Sequence, residues 1–346
     1  AIPKESYLNI ARIIEVAQIA KVDAIHPGYG FLSQNPNFAK ACNKAKITFI
    51  GPTHQVMKRM GDKVRARKLA QKAGLPVLAG SDAEVKDNVA AQSAAANGFP
   101  LMVKAANGGG GIGIQVVRSP KELKGVMARA RALARKAFGS KRLYFEKFLE
   151  GASHIEVQIV ADNHGNVLHL FERDCSVQRR NQKVVEETPS TKLTSEQRQS
   201  LFDYSLALAR HIEYTNMGTV EFLVSRNGEI YFLEMNTRLQ VEHGITELIT
   251  GLDMVEMQVR IAYGEKLQLR QEEIKLHGHA IETRINAEDP DTFLPSAGVI
   301  DHINEPVGDH IRFDSALFPG YEVSTYYDSL LSKLMVWGKT RKQAIT

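Results

Sequence analysis

One hairpin near the middle of the chain constrains the fold more than any other segment. The pair Asn227-Gly228, a strong turn signal, separates two runs of alternating polarity between residues 218 and 236. A loop of two or four residues centred on that pair would place Glu221 directly opposite Glu234. A loop of three or five residues would break this register. We therefore expect an antiparallel sheet that carries two facing carboxylates.

The two faces of this hairpin are expected to differ in polarity. The apolar face would form core and comprises Val220, Phe222, Val224, Tyr231, Leu233 and Met235. Beside the two acids, the other face would carry Thr219, Leu223, Phe232 and Asn236. Like charges directly opposite each other destabilise a sheet, and a divalent cation between them would remove that cost. Oxygen ligands suit Mg²⁺ that is shared with substrate phosphates, and the alternative is a protonated or lysine-paired glutamate.

A glycine-rich run at residues 107–113 is the second informative segment. A strand leads into Gly108, Gly109, Gly110, Gly111 and Gly113, and residues 114–117 leave the run as another strand. Because a dinucleotide fingerprint and a P-loop both run strand, loop and helix, neither motif fits. The run predicts a flap between strands whose backbone N–H groups wrap phosphates, with Lys104 as a point charge. A flexible surface hairpin is the alternative.

The first part of the chain alternates helix and strand, which is typical of a parallel sheet flanked by helices. The predicted elements are strands at 22–25 and 47–50 and helices at 6–20, from Asn35-Pro36, at 58–74 and at 81–98. Two strands are too few for a complete doubly wound domain. We therefore expect that this lobe begins before Ala1.

Composition excludes several classes of protein. The 346 residues are 43% hydrophobic and 24% charged, which argues against intrinsic disorder. No run of about 18 apolar residues is present, so we expect no membrane-spanning helix. Two cysteines, Cys42 and Cys175, predict reduced thiols in a cytosol-type compartment and no zinc site. The net charge of +5 fits a polyanionic ligand such as a nucleotide.

Two polar segments leave their function open. The basic run at residues 178–183 is, taken alone, typical of a solvated face. Arg238, Gln240 and Glu242 alternate, so in an extended stretch they would point the same way. Such a group can hold a small oxyanion and take its proton, whereas a surface strand is the structural alternative.

A basic nucleic-acid-binding module is the non-enzymatic hypothesis, built on residues 118–147 and 178–183. It requires aromatic side chains for base stacking. The only candidates are Phe138, Tyr144, Phe145 and Phe148, and strand packing explains them equally well.

Seven motifs, in order along nearly the whole chain, resemble the biotin carboxylase component of biotin-dependent carboxylases, in the ATP-grasp superfamily. They lie at residues 26–33, 60–63, 104–113, 172–180, 182–187, 234–243 and 284–289. The run at 234–243 distinguishes this family from carbamoyl-phosphate synthetase-like relatives. Another ATP-grasp ligase that works without biotin is the alternative, and Arg284 and Tyr29 in their motifs argue against it.

The resemblance implies an α/β (α+β) ATP-grasp fold. An N-terminal Rossmann-like parallel-sheet lobe would be followed by a mobile lid and a larger C-terminal lobe with an antiparallel sheet. The implied domains are residues 1–60, the ATP-grasp domain at 61–270 with its lid at about 79–149, and the C-terminal domain at 271–346. The family's first strand and helix would precede Ala1, and the last part of its C-terminal lobe would follow Thr346.

The resemblance also implies a reaction. ATP and bicarbonate form carboxyphosphate, and the carboxyl group then passes to N1′ of biotin on a biotin carboxyl carrier protein. The implied ligands are ATP, Mg²⁺ or Mn²⁺, bicarbonate and carrier-bound biotin. A carboxyltransferase component and a homodimer or larger complex are implied partners, without nucleic acid or membrane. The implied location is the cytoplasm, and the mitochondrion is an alternative. The final acceptor of the carboxyl group would be acyl-CoA, pyruvate or urea.

Roles are implied for the residues at matching positions. Lys63 and Lys104 resemble the family's phosphate-binding lysines. The lid loop over the phosphates would contain Gly108, Gly109, Gly110, Gly111 and Gly113. The other nucleotide-side residues are Glu146, Lys147, Leu149, His154, Gln178 and Asn181. Glu221 and Glu234 would be the metal ligands, with Asn236 nearby. Bicarbonate would be held by Lys183, Arg238, Gln240 and the Val241 backbone. Glu242 would take the bicarbonate proton, Arg284 would stabilise the biotin enolate, and Tyr29 would lie toward biotin.

Overall fold

The computed structural model describes residues 2–81, 84–86, 89–106 and 114–346. Its helices are α1 (Ile10–Ile19), α2 (Pro36–Lys44), α3 (His54–Met60), α4 (Lys63–Lys72), α5 (Ala90–Asn97), α6 (Pro120–Phe138), α7 (Ser195–His211), α8 (His243–Thr250), α9 (Met254–Tyr263) and α10 (Arg341–Ile345). Its first strands are β1 (Ala24–Ile25), β2 (Thr48–Phe49), β3 (Leu101–Ala105), β4 (Gln115–Val117), β5 (Leu143–Lys147), β6 (Ser153–Ala161), β7 (Val167–Arg179) and β8 (Gln182–Thr188). The remaining strands are β9 (Asn216–Val224), β10 (Ile230–Asn236), β11 (His279–Asn286), β12 (Gly298–Val299), β13 (Ile311–Ser315), β14 (Glu322–Val323) and β15 (Leu330–Gly338).

The N-terminal region contains the predicted parallel pair, because β1 lies parallel to β2. Helix α2 begins as expected, with the Asn35 side chain accepting hydrogen bonds from two backbone N–H groups and Pro36 at the first helical position. Phe38 and Cys42 of this helix pack with Phe49 in a small apolar core. Both strands are shorter than predicted, with two residues each.

The single basic helix predicted at 58–74 is wrong, because two helices occupy this part of the chain. Helix α3 ends at Gly61, and Asp62 caps α4 by accepting a hydrogen bond from the Arg65 backbone N–H at 3.0 Å. The break places Lys63 at the first position of α4, where its ammonium group contacts Glu234. The helix predicted at 81–98 is also shorter, since α5 covers only its second half.

A three-stranded antiparallel sheet, in the order β4-β3-β5, follows. Its apolar face packs under α6, where Leu101, Val103 and Val117 are fully buried. The strands predicted on either side of the glycine run are confirmed as β3 and β4. The run itself, with Gly108, Gly109, Gly110, Gly111 and Gly113, lies outside the described residues.

An eight-stranded antiparallel sheet, in the order β10-β9-β6-β7-β8-β11-β15-β13, holds the rest of the chain together. Helix α7 covers one part of it, and the buried Leu201, Leu208 and Phe222 lie in the same apolar cluster. Helix α8 packs against the β11 and β15 end, with Ile245, Ala280 and Met335 in a second cluster. The sheet therefore joins residues near 155, 220 and 284 into one surface.

The central hairpin has the predicted pairing of Glu221 with Glu234, but its loop does not have the predicted length. Ser225 bonds to Glu229 across a three-residue loop, which shifts the register by one near the turn. A bulge at Leu233 reverses the shift before Glu234 is reached. The bulge thus restores the pairing that a three-residue loop alone would have broken.

The bulge also changes which side chains belong to the core. Phe232 lies opposite Phe222, with ring centroids 6.5 Å apart, and is buried in the core with it. Tyr231 lies opposite Leu223 instead, and Tyr231 and Leu233 are only half-buried. The predicted positions of Phe232, Tyr231 and Leu233 are therefore wrong, because the prediction assumed uninterrupted alternation.

Two further expectations concern the whole chain. Cys42 and Cys175 are both buried free thiols, as predicted. None of the helices in the described ranges combines the length and the apolar character needed to cross a membrane.

Glu187 links β8 to β11 and α10, and it supports a prediction on stability. Its carboxylate contacts His279 Nε2 at 2.9 Å and accepts from Arg341 Nε at 2.6 Å. Burial opposes ionisation, but these hydrogen bonds outweigh it and lower the pKa of Glu187 to about 2 from 4.5. Because the folded pKa is lower, this stabilisation is complete above pH 4.5 and is lost as pH falls through about 2.

We therefore expect Glu187→Gln to lower the free energy of unfolding by about 1 kcal/mol at pH 7, a value reduced by solvent around the half-exposed Arg341. The difference in the free energy of unfolding between the wild type and Glu187→Gln should shrink as pH falls from 4.5 to about 2. Urea unfolding across this pH range measures it, with the exposed Glu322→Gln as control. A deficit independent of pH would contradict the ionic origin.

Candidate active site

A row of four charged side chains crosses the large sheet. Glu234 on β10 lies opposite Glu221 on β9, which lies opposite Glu156 on β6, which in turn lies opposite Arg173 on β7. Three adjacent carboxylates at one level of a sheet repel one another and require cations close by. Of these carboxylates the sequence analysis singled out only Glu221 and Glu234, although residues 154–160, which contain Glu156, also alternate in polarity.

The two hairpin carboxylates are held by basic and amide groups in this structure. Glu234 pairs with the ammonium group of Lys63. Glu221 is buried and contacts His154 Nε2 at 2.7 Å and Lys183 Nζ at 3.1 Å. Burial opposes its ionisation, but Lys183 and His154 outweigh it, so the pKa of Glu221 lies well below its ordinary value. The lysine-paired alternative therefore describes both glutamates here.

Asn236 and Gln240 contact Glu221 directly, and Arg238 contacts both of these amides. The amide nitrogens of Asn236 and Gln240 donate to Glu221 Oε1 at 2.7 and 2.9 Å. Arg238 donates to Gln240 Oε1 at 2.7 Å and to Gln34 Oε1 at 3.0 Å. Residues 237–240 have no regular structure apart from a bend at Arg238, and 241–242 form a turn, so the strand geometry expected for Arg238, Gln240 and Glu242 is wrong. Contacts through Glu221 and Lys183 still bring the three side chains together.

Glu242 is held between two basic side chains. It precedes α8 and is fully buried, with Lys183 Nζ at 2.7 Å from one oxygen and an Arg284 nitrogen at 3.0 Å from the other. Burial raises the pKa of Glu242, but Lys183 and Arg284 lower it well below its ordinary value. Glu242 is therefore an ionised carboxylate between two cations.

Lys183 is the centre of this network. Its ammonium group contacts Glu156 at 2.6 Å as well as Glu221 and Glu242. Burial disfavours the charged lysine, but the surrounding acids outweigh this and hold its pKa well above the ordinary value. Since three carboxylates share one ammonium group, removing the lysine would leave an excess of buried negative charge.

Arg173 supports the network from behind, and it was not predicted separately as a member of the site. It is fully buried and donates to Glu156 at 2.6 Å, to Gln158 at 2.9 Å and to Thr246 Oγ1 at 2.8 Å. Five N–H groups in a fixed plane suit such a multiple contact. Arg173 therefore fixes Glu156, which in turn contacts Lys183.

Lys104 and Glu146 form a second buried network, at the small sheet. Glu146 on β5 pairs with Lys104 on β3 and with Arg67 on α4, the latter at 2.6 Å. Burial raises the pKa of Glu146, but Lys104 and Arg67 outweigh it and lower the pKa. Arg67 was not predicted as a member of the site.

The remaining predicted residues border these two networks. Lys147 donates through its backbone to Ala79 at 2.7 Å, and Leu149 is half-buried beside it in the chain. Gln178 Nε2 lies 2.7 Å from His154 Nδ1. Asn181 is exposed at the tip of the β7–β8 hairpin. Arg180 and Asn181 both have positive φ angles, which is typical of a two-residue hairpin turn.

Arg284 contacts the Glu242 oxygen that Lys183 does not contact, and Tyr29 lies beside Lys333. Arg284 Nε donates to Glu186 Oε1 at 2.8 Å while another nitrogen contacts Glu242. The Tyr29 ring lies 5.6 Å from Lys333 Nζ, and Lys333 donates to the Val241 carbonyl at 2.7 Å. The structure thus connects Tyr29 to the Val241 backbone through Lys333.

The aromatic residues required by the nucleic-acid hypothesis are not available for stacking where the structure describes them. Tyr144 and Phe145 are buried, and Phe145 belongs to the core beneath α6. Phe148 is half-buried. Tyr144 and Phe145 therefore act as packing groups.

Comparison with known proteins places the chain in a family. A model of the carbamoyl-phosphate synthase L chain ATP-binding domain matches residues 62–270, so the chain carries this class of ATP-binding domain. Models of the biotin carboxylase N-terminal and C-terminal domains match residues 1–57 and 282–346. The chain belongs to the biotin carboxylase family. This match confirms the resemblance read from the sequence motifs.

Individual relatives agree with this result. Biotin carboxylase of Haemophilus influenzae is 50% identical over 99% of this chain and 76% of its own length. Biotin carboxylase of Halalkalibacterium halodurans is 52% identical, with 99% and 76% covered. The biotin carboxylase domain dimer of Hydrogenobacter thermophilus 2-oxoglutarate carboxylase, solved with MgADP, ADP and bicarbonate, gives a TM-score of 0.96 at 48% identity, with 98% and 75% covered. The predicted α/β ATP-grasp fold is confirmed.

Proposed function

We propose that this chain carboxylates biotin with bicarbonate at the expense of ATP, as the first half-reaction of a biotin-dependent carboxylase. The observation that carries the proposal is the ionised, fully buried Glu242 between Lys183 and Arg284. Because these cations hold the pKa of Glu242 low, it would become a proton acceptor when a bound anion weakens the pairing. The two cations beside it are suited to anionic reactants on either side.

Bicarbonate would bind among Arg238, Gln240, Lys183 and the Val241 backbone. An anion there would share the cations that now hold Glu242, and weaker pairing would raise the proton affinity of this carboxylate. Glu242 would then take the bicarbonate proton as the bicarbonate oxygen attacks the terminal phosphate of ATP, which breaks its bond to ADP and gives carboxyphosphate and ADP. Most of the acceleration would come from positioning and charge stabilisation, as in other phosphoryl transfers.

ATP would lie between the small sheet and the large one. Lys63 and Lys104 would contact its phosphates. In this structure Lys63 pairs with Glu234 and Lys104 pairs with Glu146. The proposed nucleotide contacts are Glu146, Lys147, Leu149, His154, Gln178 and Asn181, with the glycine run at 107–113 over the phosphates. The proposed domain bounds remain 1–60, 61–270 with its lid at about 79–149, and 271–346.

The hairpin residues fit a hard divalent cation. Glu221 and Glu234 supply facing carboxylates, and Asn236 supplies an amide oxygen close by. Bound Mg²⁺ or Mn²⁺ would neutralise charge on the ATP phosphates. Lys63 and Lys183 would then be released from the carboxylates toward the phosphates and bicarbonate.

Biotin would bind on the Arg284 side of Glu242. Arg284 would stabilise the enolate of the ureido group, and Tyr29 would border the ring. The partners proposed are a biotin carboxyl carrier protein, a carboxyltransferase component and a second copy of the chain. A cytoplasmic location is proposed, and the final acceptor would belong to the carboxyltransferase, with pyruvate and 2-oxoglutarate carboxylases among the relatives.

The test is ATP hydrolysis by the purified full chain, measured with and without bicarbonate and with and without free biotin. The proposal expects hydrolysis that requires bicarbonate and increases with biotin. Hydrolysis that is indifferent to both would overturn it and favour an ATP-grasp ligase of another kind.

Glu234→Gln gives a separate prediction for the metal. Losing one carboxylate charge should raise the Mg²⁺ concentration for half-maximal activity by about tenfold, equivalent to about 1.4 kcal/mol. The measurement is a Mg²⁺ titration at saturating ATP, with the exposed Glu229→Gln of the same hairpin as control. An unchanged Mg²⁺ requirement would exclude Glu234 as a ligand.

A further inference from the structure

Glu282 on β11 is a buried carboxyl group that the proposed reaction does not use. Its side chain has no exposed surface, and neither oxygen has a hydrogen-bond partner among the described residues. A buried carboxylate without a partner is strongly unfavourable, because the solvation of the charge is lost. Either the group is neutral or nearby cations compensate for it.

The charged neighbours of Glu282 come from three strands and the start of α8. Glu186 on β8 lies directly opposite it in the ladder, and Arg284 follows two positions along the same face of β11. Lys333 on β15 lies opposite Arg284, and Glu242 reaches Arg284 from the start of α8. Beyond these, α8 and β13 contribute His243, Glu247, Arg312 and Asp314.

The cations near Glu282 are already engaged. Arg284 contacts Glu186 at 2.5 Å and Glu242 at 3.0 Å. Lys333 donates to the Val241 carbonyl at 2.7 Å and contacts Asp314 at 3.2 Å. Arg312, further away, holds Glu247 and Asp314.

The carboxyl groups thus exceed the available cations among the described residues at this end of the sheet. Of Glu186, Glu242 and Glu282, only Glu282 lacks a donor to either oxygen. Burial raises the pKa of Glu282, and Glu186 and Glu242 add to this against the opposing effect of Lys333 and Arg284. The net result is a pKa well above the ordinary value.

We propose that Glu282 is a neutral carboxylic acid that positions Arg284 for the proposed reaction with biotin. Uncharged, it leaves the guanidinium group shared between Glu186 and Glu242. Ionised, it would compete for Arg284 from two positions away on the same face and draw the guanidinium group back toward the sheet. Glu282 is thus a positioning residue, and its neutrality does not depend on the proposed function, whereas its effect on biotin does.

Difference infrared spectroscopy of the full chain tests the protonation state without any assay of activity. At pH 7 the wild type should show the C=O stretch of a protonated carboxyl group, and Glu282→Gln should lose it. The exposed Glu305→Gln should retain it. Should the glutamine variant fail to fold, Glu282→Met replaces it. Identical bands in wild type and variant would mean that Glu282 is ionised and would overturn the proposal.

Steady-state kinetics test the positioning role. Glu282→Gln should keep kcat/KM for biotin within about threefold at pH 7, because it remains neutral. At alkaline pH the wild type should lose kcat/KM as Glu282 ionises, and the variant should not. A loss above about tenfold at every pH would show that the charge of Glu282 is required. If the wild type shows no biotin-dependent activity, the proposed function fails while the infrared result still decides the protonation state.

Discussion

Glu242→Gln is expected to reduce bicarbonate-dependent ATP hydrolysis by about 10²–10⁴-fold, the usual contribution of a general base. The amide cannot accept the bicarbonate proton, although it has nearly the volume of the carboxylate. It also removes the negative charge between Lys183 and Arg284, so both cations become freer to bind anions. Bicarbonate should therefore still bind, and the loss should appear in kcat.

The measurement is ATP hydrolysis as a function of bicarbonate concentration, with Glu256→Gln, an exposed residue of α9, as control. The control should match the wild type. A Glu242→Gln variant with a normal kcat and a raised KM for bicarbonate would show a binding role and would contradict the assignment of Glu242 as the base.

Arg173→Met is expected to lower the free energy of unfolding by about 3–5 kcal/mol, the range for removing one partner of a buried ion pair. Methionine fills part of the space but leaves Glu156, which has no exposed surface, without its guanidinium partner. Gln158 and Thr246 also lose the donor that they share. Urea unfolding followed by circular dichroism measures the change.

A double variant separates charge from packing. Arg173→Met with Glu156→Gln should regain much of the lost stability, because no unpaired charge remains while Lys183 still contacts Glu221 and Glu242. Arg260→Met, at a more than half-exposed arginine of α9, should stay within about 0.5 kcal/mol of the wild type. If the double variant is no more stable than Arg173→Met, lost packing rather than charge is responsible.

The facing acids of the hairpin could be predicted because alternation and a turn signal are local properties of the sequence. The pairing of Glu221 with Glu234 depends, however, on two deviations that cancel, the longer loop and the bulge at Leu233. The sequence predicted neither deviation, so the core position of Phe232 was missed. The pairing of the two acids was therefore predicted correctly only because the bulge offsets the longer loop, whereas the face of Phe232, which lies between them, was not.

The cations of the site were harder to predict from the residues alone. Arg67 reaches Glu146 from α4, and Arg173 reaches Glu156 across β7 and β6. These pairs depend on how the strands and helices are arranged in space, and the local periodicity of the sequence does not specify that arrangement. Glu186 and Glu282 are adjacent for the same reason, because β8 pairs with β11 only in the folded chain. The resemblance identified Lys183, Arg238, Glu242 and Arg284, but not the groups behind them.

The continuity of the large sheet has a consequence for how the protein folds. Arg284 and Glu186 are 98 positions apart in the chain, and Lys183 and Glu242 are 59 apart. Contacts between such distant residues form slowly, because a long loop must close before they stabilise anything. The Arg284 contact of this network therefore forms only after β11 has joined β8, whereas the contacts of Lys183 do not involve β11. Glu242 therefore has both of its cationic partners, Lys183 and Arg284, only in a chain whose large sheet is complete.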